Sequence, residues 1–194
     1  MTAQTVIRMG HPTLRLTAQI ITEDEFHTQE FKTLLNDLYD TMKKEGGIGI
    51  AAPQINISKS VALIELPEYS ERYGQLPVTG LLTIINPKLD FLTEETQGFW
   101  EGCLSVPGLR GYVERPKKIR VQYKNEHFQN EEIIVEGFLA TVFQHELDHL
   151  FGKLYVDRLK DPSMLTYIAE YDQFVANNQT DGKSDEKSND DLLD

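Results

Sequence analysis

The sequence predicts an α+β fold, and three observations carry that reading. Helical and strand-like segments do not alternate regularly, as a doubly wound parallel sheet would require. Two short segments, 119–123 and 132–136, flank a polar turn at 125–130, which is the pattern of an antiparallel hairpin. The 194 residues, 40% of them apolar and 26% charged, suffice for one domain with its own core and fall short of two.

The elements follow in order. Phe26, Phe31, Leu34, Leu35, Leu38 and Met42 form a helical stripe within residues 24–44. Gly46 and Gly47 end it. Residues 61–64 and 81–85 read as short strands, with Pro67, Gly74, Pro77 and Gly80 marking a loop between them. Beyond the 119–136 hairpin, residues 138–150 are strongly helical. Residues 162–176 read as a last helix opened by Asp161-Pro162. No internal repeat is present. Residues 178–194 hold six acidic and two basic groups and almost no large apolar side chain. Such a segment cannot offset its ordering entropy by burial, so a disordered acidic tail is expected after a folded unit at 1–177.

Charge and cysteine content narrow the function. Acidic residues outnumber basic ones 31 to 19, a net charge of −12. This surface repels phosphate backbones, so direct nucleic-acid binding is not expected. No apolar run is long enough to span a membrane. Cys103 is the one cysteine, so no intrachain disulfide can form, and a lone thiol suits a reducing cytosol. Residues 1–22 carry Arg8 and Arg15 and no acid, a faint transit-peptide pattern, but they lack the apolar stretch of a secretion signal.

The strongest chemical signal is His145-Glu146-Leu147-Asp148-His149. Residues four apart on a helix share a face, so both imidazoles can reach one metal. Glu146 stands where it can act on a water activated there. Phe138, Leu139, Val142, Phe143, Leu147, Leu150 and Phe151 surround the motif, so the helix is expected to be buried and its histidines to need partners. A catalytic metal normally takes three protein ligands and keeps one position open. No histidine follows His149, which excludes the metzincin pattern. Three third ligands stand open: Glu170, as in thermolysin-like metalloproteases, Asp157, and Cys103. A buried Cys103 could equally be a small hydrophobe. Its neighbours argue for more, because Gly102 permits close approach and Pro107-Gly108 suggests a turn. A structural zinc would need four protein ligands, which are hard to assemble from one cysteine and few histidines.

A third segment, Gly46-Gly47-Ile48-Gly49-Ile50-Ala51-Ala52-Pro53-Gln54, lacks the Lys-Ser or Lys-Thr of a phosphate loop. Its Gly-x-Gly pattern suits either a backbone lying against a ligand or a plain connector. Gln54 is then a donor aimed into the site or a surface residue.

Together, Gly47 to Gln54, Glu101 to Ser105 and Gln144 to His149 resemble, in that order, the three motifs of the bacterial-type peptide deformylases. His11-Pro12-x-Leu14-Arg15 is similar to that family's N-terminal pattern, which leaves no room for a transit peptide. The resemblance spans residues 6–175. It implies antiparallel sheets packed around a central helix carrying the histidine pair, with N- and C-terminal helices. It implies hydrolysis of the N-formyl group from the N-terminal formyl-methionine of new polypeptides, with release of formate. It makes Cys103 the third ligand beside His145 and His149, and leaves Glu170 and Asp157 without a metal role. Glu146 becomes the general base and acid, and Gln54 and the Leu104 backbone N–H the oxyanion donors. Backbone groups of Ile48, Gly49 and Gly102 would pair with the peptide. Ferrous iron is the implied cofactor, with zinc, nickel or cobalt as substitutes. The implied partners are nascent formylmethionyl peptides near the ribosomal exit, met by a cytoplasmic monomer. The stretch 65–80 is longer than in the shorter members.

Helix geometry adds a pocket. Phe138, Thr141 and Val142 lie seven, four and three places before His145, on its face. They should border the metal with Ile48 across from them, in an apolar space that suits methionine.

Overall fold

The apolar stripe of residues 24–44 folds as two helices, α1 (Glu23–Phe26) and α2 (Gln29–Lys44), because Thr28 caps the second by accepting from Phe31 N–H. Gly46, at φ 64°, and Gly47 return N–H groups to the last turn of α2, which is why the helix stops there. The computed structural model describes residues 3–70, 74–75 and 78–176; the acidic tail at 178–194 lies outside them.

The strands that follow are β1 (Gly49–Ala51), β2 (Val61–Ile64), β3 (Tyr69–Ser70), β4 (Gly74–Gln75) and β5 (Leu82–Phe91). Then come β6 (Thr96–Cys103), β7 (Val106–Pro116), β8 (Lys118–Lys124) and β9 (Asn130–Glu136), and the helix α3 (Phe138–Leu150). The last elements are β10 (Leu165–Tyr167) and α4 (Ile168–Glu170). One sheet has five antiparallel strands in the order β1-β2-β5-β8-β9, a second has the order β10-β7-β6, and β3 pairs with β4.

Alternation along β2 shows how the core is layered. Ala62 and Ile64 face the cluster around α3, with Val142, Phe143 and Leu147. Val61 and Leu63 face the cluster around α2, with Leu34, Leu38 and Met42. The five-stranded sheet is thus buried on both faces here, and α3 is the central helix the resemblance implies. Gly137, at φ 67°, starts α3 straight from the end of β9.

Several elements depart from the sequence reading. The strand expected at 81–85 continues to Phe91, past a register shift at Ile85/Lys88. Asn86 sits there at φ 51°, and its carboxamide bonds both the N–H and the C=O of Ile21 at 2.9 and 2.7 Å. Pro107-Gly108 is no turn but lies within β7; the chain reverses at Leu104-Ser105. The helix expected over 162–176 is broken into a 3-10 turn, β10, α4 and a π-helical turn at Tyr171–Ala176. Pairing of Leu165–Tyr167 with Leu109–Gly111 along the open edge of β7 overrides the helical pattern.

Candidate active site

The β6–β7 hairpin aims the thiol. Its strands stay in register to Glu101↔Gly111, then shift so that Cys103 pairs with Val106, with Gly102 at the irregularity. Glu101 and Cys103, two residues apart, are both buried on the face toward α3. On α3, His145 and His149 stand one turn apart. Cys103 Sγ lies 3.3 Å from His149 Nε2, and one ligand atom each from Cys103, His145 and His149 fall within 4.8 Å of one another. One soft sulfur and two imidazoles so placed fit a transition-metal ion and leave room for a fourth ligand. Burial alone would push the Cys103 thiol up, but His149 and His145 beside it outweigh this and bring it to about 5. The donor set therefore contains a thiolate at neutral pH, as metal binding needs.

His145 is oriented from behind. Its Nδ1 lies 2.7 Å from Glu101 Oε2, so Nε2 is left facing the thiolate. Glu101 is in turn gripped by Arg115, through Nε at 2.5 Å and Nη2 at 3.0 Å. Burial pushes the Glu101 carboxyl up, yet His145 and Arg115 hold it below its ordinary value. Arg115 also donates to Asp148 Oδ2 at 2.8 Å, and Asp148 takes Arg158 at 2.5 and 3.1 Å. These buried charges alternate in sign, the arrangement that makes burying them tolerable.

Glu146 projects toward β1. Burial is the main influence on it and drives its carboxyl up to about 7 against the opposing pull of the two histidines. Its Oε2 has no hydrogen-bond partner. Gly49 makes this position possible, since a Cβ there would lie 2.4 Å from Glu146 Oε1. After β1, a 3-10 turn at Ala52–Ile55 presents Gln54. Its Oε1 accepts from Ala51 N–H at 2.8 Å, which fixes the amide so that Nε2 faces Ser105 Oγ at 3.3 Å and Cys103 Sγ at 3.6 Å. The N-terminal strap ties the two loops: Ile7 N–H donates to Gln54 C=O and Met9 N–H to Ser105 C=O, at 2.9 and 2.7 Å.

A cleft of about 490 Å³ opens over these groups. Ile48, Gly49, Gln54, Gly102, Cys103, Leu104, Phe138, Thr141, Val142, His145 and Glu146 all line it. His149 lies below its floor, 1% exposed.

A family model for polypeptide deformylase matches residues 3–164. The chain belongs to the polypeptide deformylase family. A peptide deformylase of Leptospira biflexa is 44% identical over 172 residues, spanning 89% of this chain and 96% of the relative. Peptide deformylase 2 of Pseudomonas syringae is 39% identical over 163 residues, 84% and 90% of the two chains. Among solved structures, the class I type b deformylase of Acinetobacter baumannii bound to Met-Ala-Ser superposes with a TM-score of 0.77 at 34% identity, covering 81% of this chain and 99% of that one. The Thermotoga maritima enzyme gives 0.73 at 33% identity, covering 83% and 100%. As a peptide deformylase, the protein is a metallohydrolase that removes the N-formyl group from the formyl-methionine of new polypeptides and releases formate.

The deformylase cleft also contains residues to which sequence reasoning gave no role. Phe99, Trp100 and Glu101 line it, and Phe99 packs edge-on against Phe138 at 5.3 Å. Gln97, Phe99, Glu101 and Cys103 recur at every second position, so a strand reading of 96–103 would have found all but Trp100. The alternative ligands are placed elsewhere. Asp157 accepts from Leu154 N–H at 2.8 Å and pairs with Arg15. Among the described residues, Cys103, His145 and His149 are the one group arranged to hold a metal, and Glu170 is not part of it.

Proposed function

We propose that Cys103, His145 and His149 hold ferrous iron and that Glu146, Gln54 and the Leu104 N–H perform the deformylation. The observation that carries this reading is the convergence of an ionised thiolate, two imidazoles and an upshifted carboxyl at the floor of one cleft. The bound metal supplies Lewis acidity, which makes a water a nucleophile at neutral pH and polarises the formyl carbonyl. Glu146, at about 7, takes the proton from the attacking water and returns it to the departing amine. The Gln54 amide and the Leu104 N–H stabilise the developing oxyanion. Because β1 is an edge strand, the Ile48–Gly49 backbone can pair with an extended peptide, with Gly102 on the opposite side. Phe138, Thr141, Val142 and Ile48 enclose the methionine side chain. The Met-Ala-Ser complex of the Acinetobacter enzyme supports a peptide held in this way.

The folded unit at 1–177 is the catalytic part, and the acidic tail has no role in turnover. The enzyme works as a cytoplasmic monomer on chains leaving the ribosome. Its net charge of −12 argues against gripping nucleic acid directly. No helix of the described residues is long and apolar enough to cross a membrane.

Ligand type alone does not choose between iron, zinc, nickel and cobalt. The test is to strip the metal, reload each ion without oxygen, and follow deformylation of a formyl-Met peptide before and after exposure to air. The iron form should be fastest and decay in air, because an accessible iron and its thiolate are oxidisable. Nickel and cobalt forms should survive. A zinc form as fast as iron, with iron stable in air, overturns the assignment.

A further inference from the structure

We propose that Arg158, remote from the cleft, is a positioning residue for the metal ligand His145, acting through Asp148, Arg115 and Glu101; this rests on the metal-site reading above. The two histidine ligands are held differently. His145 Nδ1 meets Glu101 at 2.7 Å, whereas His149 Nδ1 meets no hydrogen-bond partner. His149 is set by packing, and His145 by whatever sets Glu101.

Glu101 and Asp148 compete for one guanidinium. Arg115 gives two of its donors to Glu101 and a third to Asp148. All three side chains are 3–7% exposed, so water cannot make good a lost partner. Arg158 resolves the competition by forking onto Asp148, with Nη2 on Oδ1 at 2.5 Å and Nε on Oδ2 at 3.1 Å. With Arg158 counted, two carboxylates face two guanidiniums. Without it, the cluster carries a net buried negative charge, and Asp148 Oδ1 loses the donor that satisfies it. Arg115 would then be drawn toward Asp148 at the expense of Glu101, releasing the imidazole.

The outer end of this chain opens on the other side of α3. A second cavity of about 690 Å³ there is lined by Arg115, Asp148, Arg158, Leu147, Phe91 and Phe151. At 3.6 residues per turn, Leu147 and Phe151 project away from the face that carries Phe138, Val142 and His145 into the cleft, and neither Asp148 nor Arg158 lines the cleft. Arg158 therefore cannot touch a substrate in the cleft, and a small cation from solvent can reach its place.

The test uses the cobalt-loaded full-length protein, comparing wild type with Arg158→Ala, Arg158→Lys and, as a surface-pair control, Lys160→Ala. The readouts are the cobalt–thiolate absorption band, metal affinity by chelator competition, and the melting temperature of the metal-free protein. Arg158→Ala should weaken metal binding by about tenfold, the low end for groups that support a ligand from behind, and shift the band. Millimolar guanidinium should restore both. Lysine should restore them only in part, since an ammonium cannot fork. Lys160→Ala should behave as wild type. Wild-type affinity and spectrum in Arg158→Ala overturn the inference. A lowered melting temperature with unchanged affinity and spectrum also overturns it, because Arg158 would then be only a brace. A wild-type protein lacking the band removes the metal-site reading, and this inference with it.

Discussion

The two walls of the cleft hold their groups by opposite means. One wall, α3 with β6, is crowded with ionisable side chains, and all but Glu146 are held in a chain of polar partners: His145 by Glu101, Glu101 by Arg115, Arg115 by Asp148. The other wall, Gly47 to Gln54, has no ionisable side chain at all, only small residues, isoleucines and one amide pinned by Ala51 N–H. Charge taken out of water must be paired and hydrogen-bonded, so the reactive wall drags a long train of supporting residues behind it. A wall that works through backbone groups and one neutral amide needs only room and a fixed turn. The walls meet where Glu146 lies against Gly49.

Glu146→Gln breaks the reactive wall at its chemical step and should have the largest effect. The variant should bind one metal ion as before, because Glu146 is not a ligand. Turnover should fall by roughly a hundred- to ten-thousand-fold, the range for lost acid–base help. Metal analysis with a formate-release assay checks both halves, and near-normal turnover would refute the role.

Gln54→Ala attacks the neutral wall instead. It removes one oxyanion donor, worth about 3–4 kcal/mol of barrier, and should leave metal content and folding alone. Steady-state kinetics decide the matter. A rise in KM with kcat kept would make Gln54 a ground-state contact.

The smallest effect sharpens the comparison through stability. A carboxyl whose folded value, about 7, stands above its ordinary 4.5 is disfavoured as an anion in the folded state. The cost is absent below pH 4.5 and grows as pH rises through 7. Metal-free Glu146→Gln should therefore be more stable than the metal-free parent at pH 8, by roughly 1–3 kcal/mol, and no more stable at pH 4.5. Denaturant titrations at the two pH values measure this. An equal gain at both would mean that packing, not ionisation, is responsible.

The contrast also explains what could be read from the sequence. The neutral wall is a contiguous run, so Gly47 to Gln54 was visible as a motif. His145, Glu146 and His149 were visible because helix spacing puts them together. Cys103 stayed one of three candidates until the family resemblance selected it, since no spacing rule links residue 103 to residue 145. Arg115 and Arg158 left no signal: a buried arginine looks like a surface one until its partners are known. The β6–β7 hairpin was missed for a related reason. Gly98, Gly102, Gly108 and Gly111 weaken the strand pattern, yet Gly98 and Gly111 are there because Tyr112 and Tyr155 fill the space a side chain would need. The last helix was overcalled because the helical pattern of 162–176 says nothing of the open strand edge that captures Leu165–Tyr167.

The N-terminal strap gives the molecule a particular history. Ile7 and Met9 leave the ribosome among the first residues, but their backbone partners belong to Gln54 and Ser105. The Gln54 loop is made early, but the Ser105 loop cannot be clasped until the chain has passed its midpoint. Arg158 arrives later still, and with it the last charge of the train behind His145. Closing such distant contacts costs loop entropy before it brings any reward, so they should form late in folding. A new deformylase is therefore inert through most of its own synthesis: its strap must wait for Ser105, its metal ligands for His149, and the support behind His145 for Arg158.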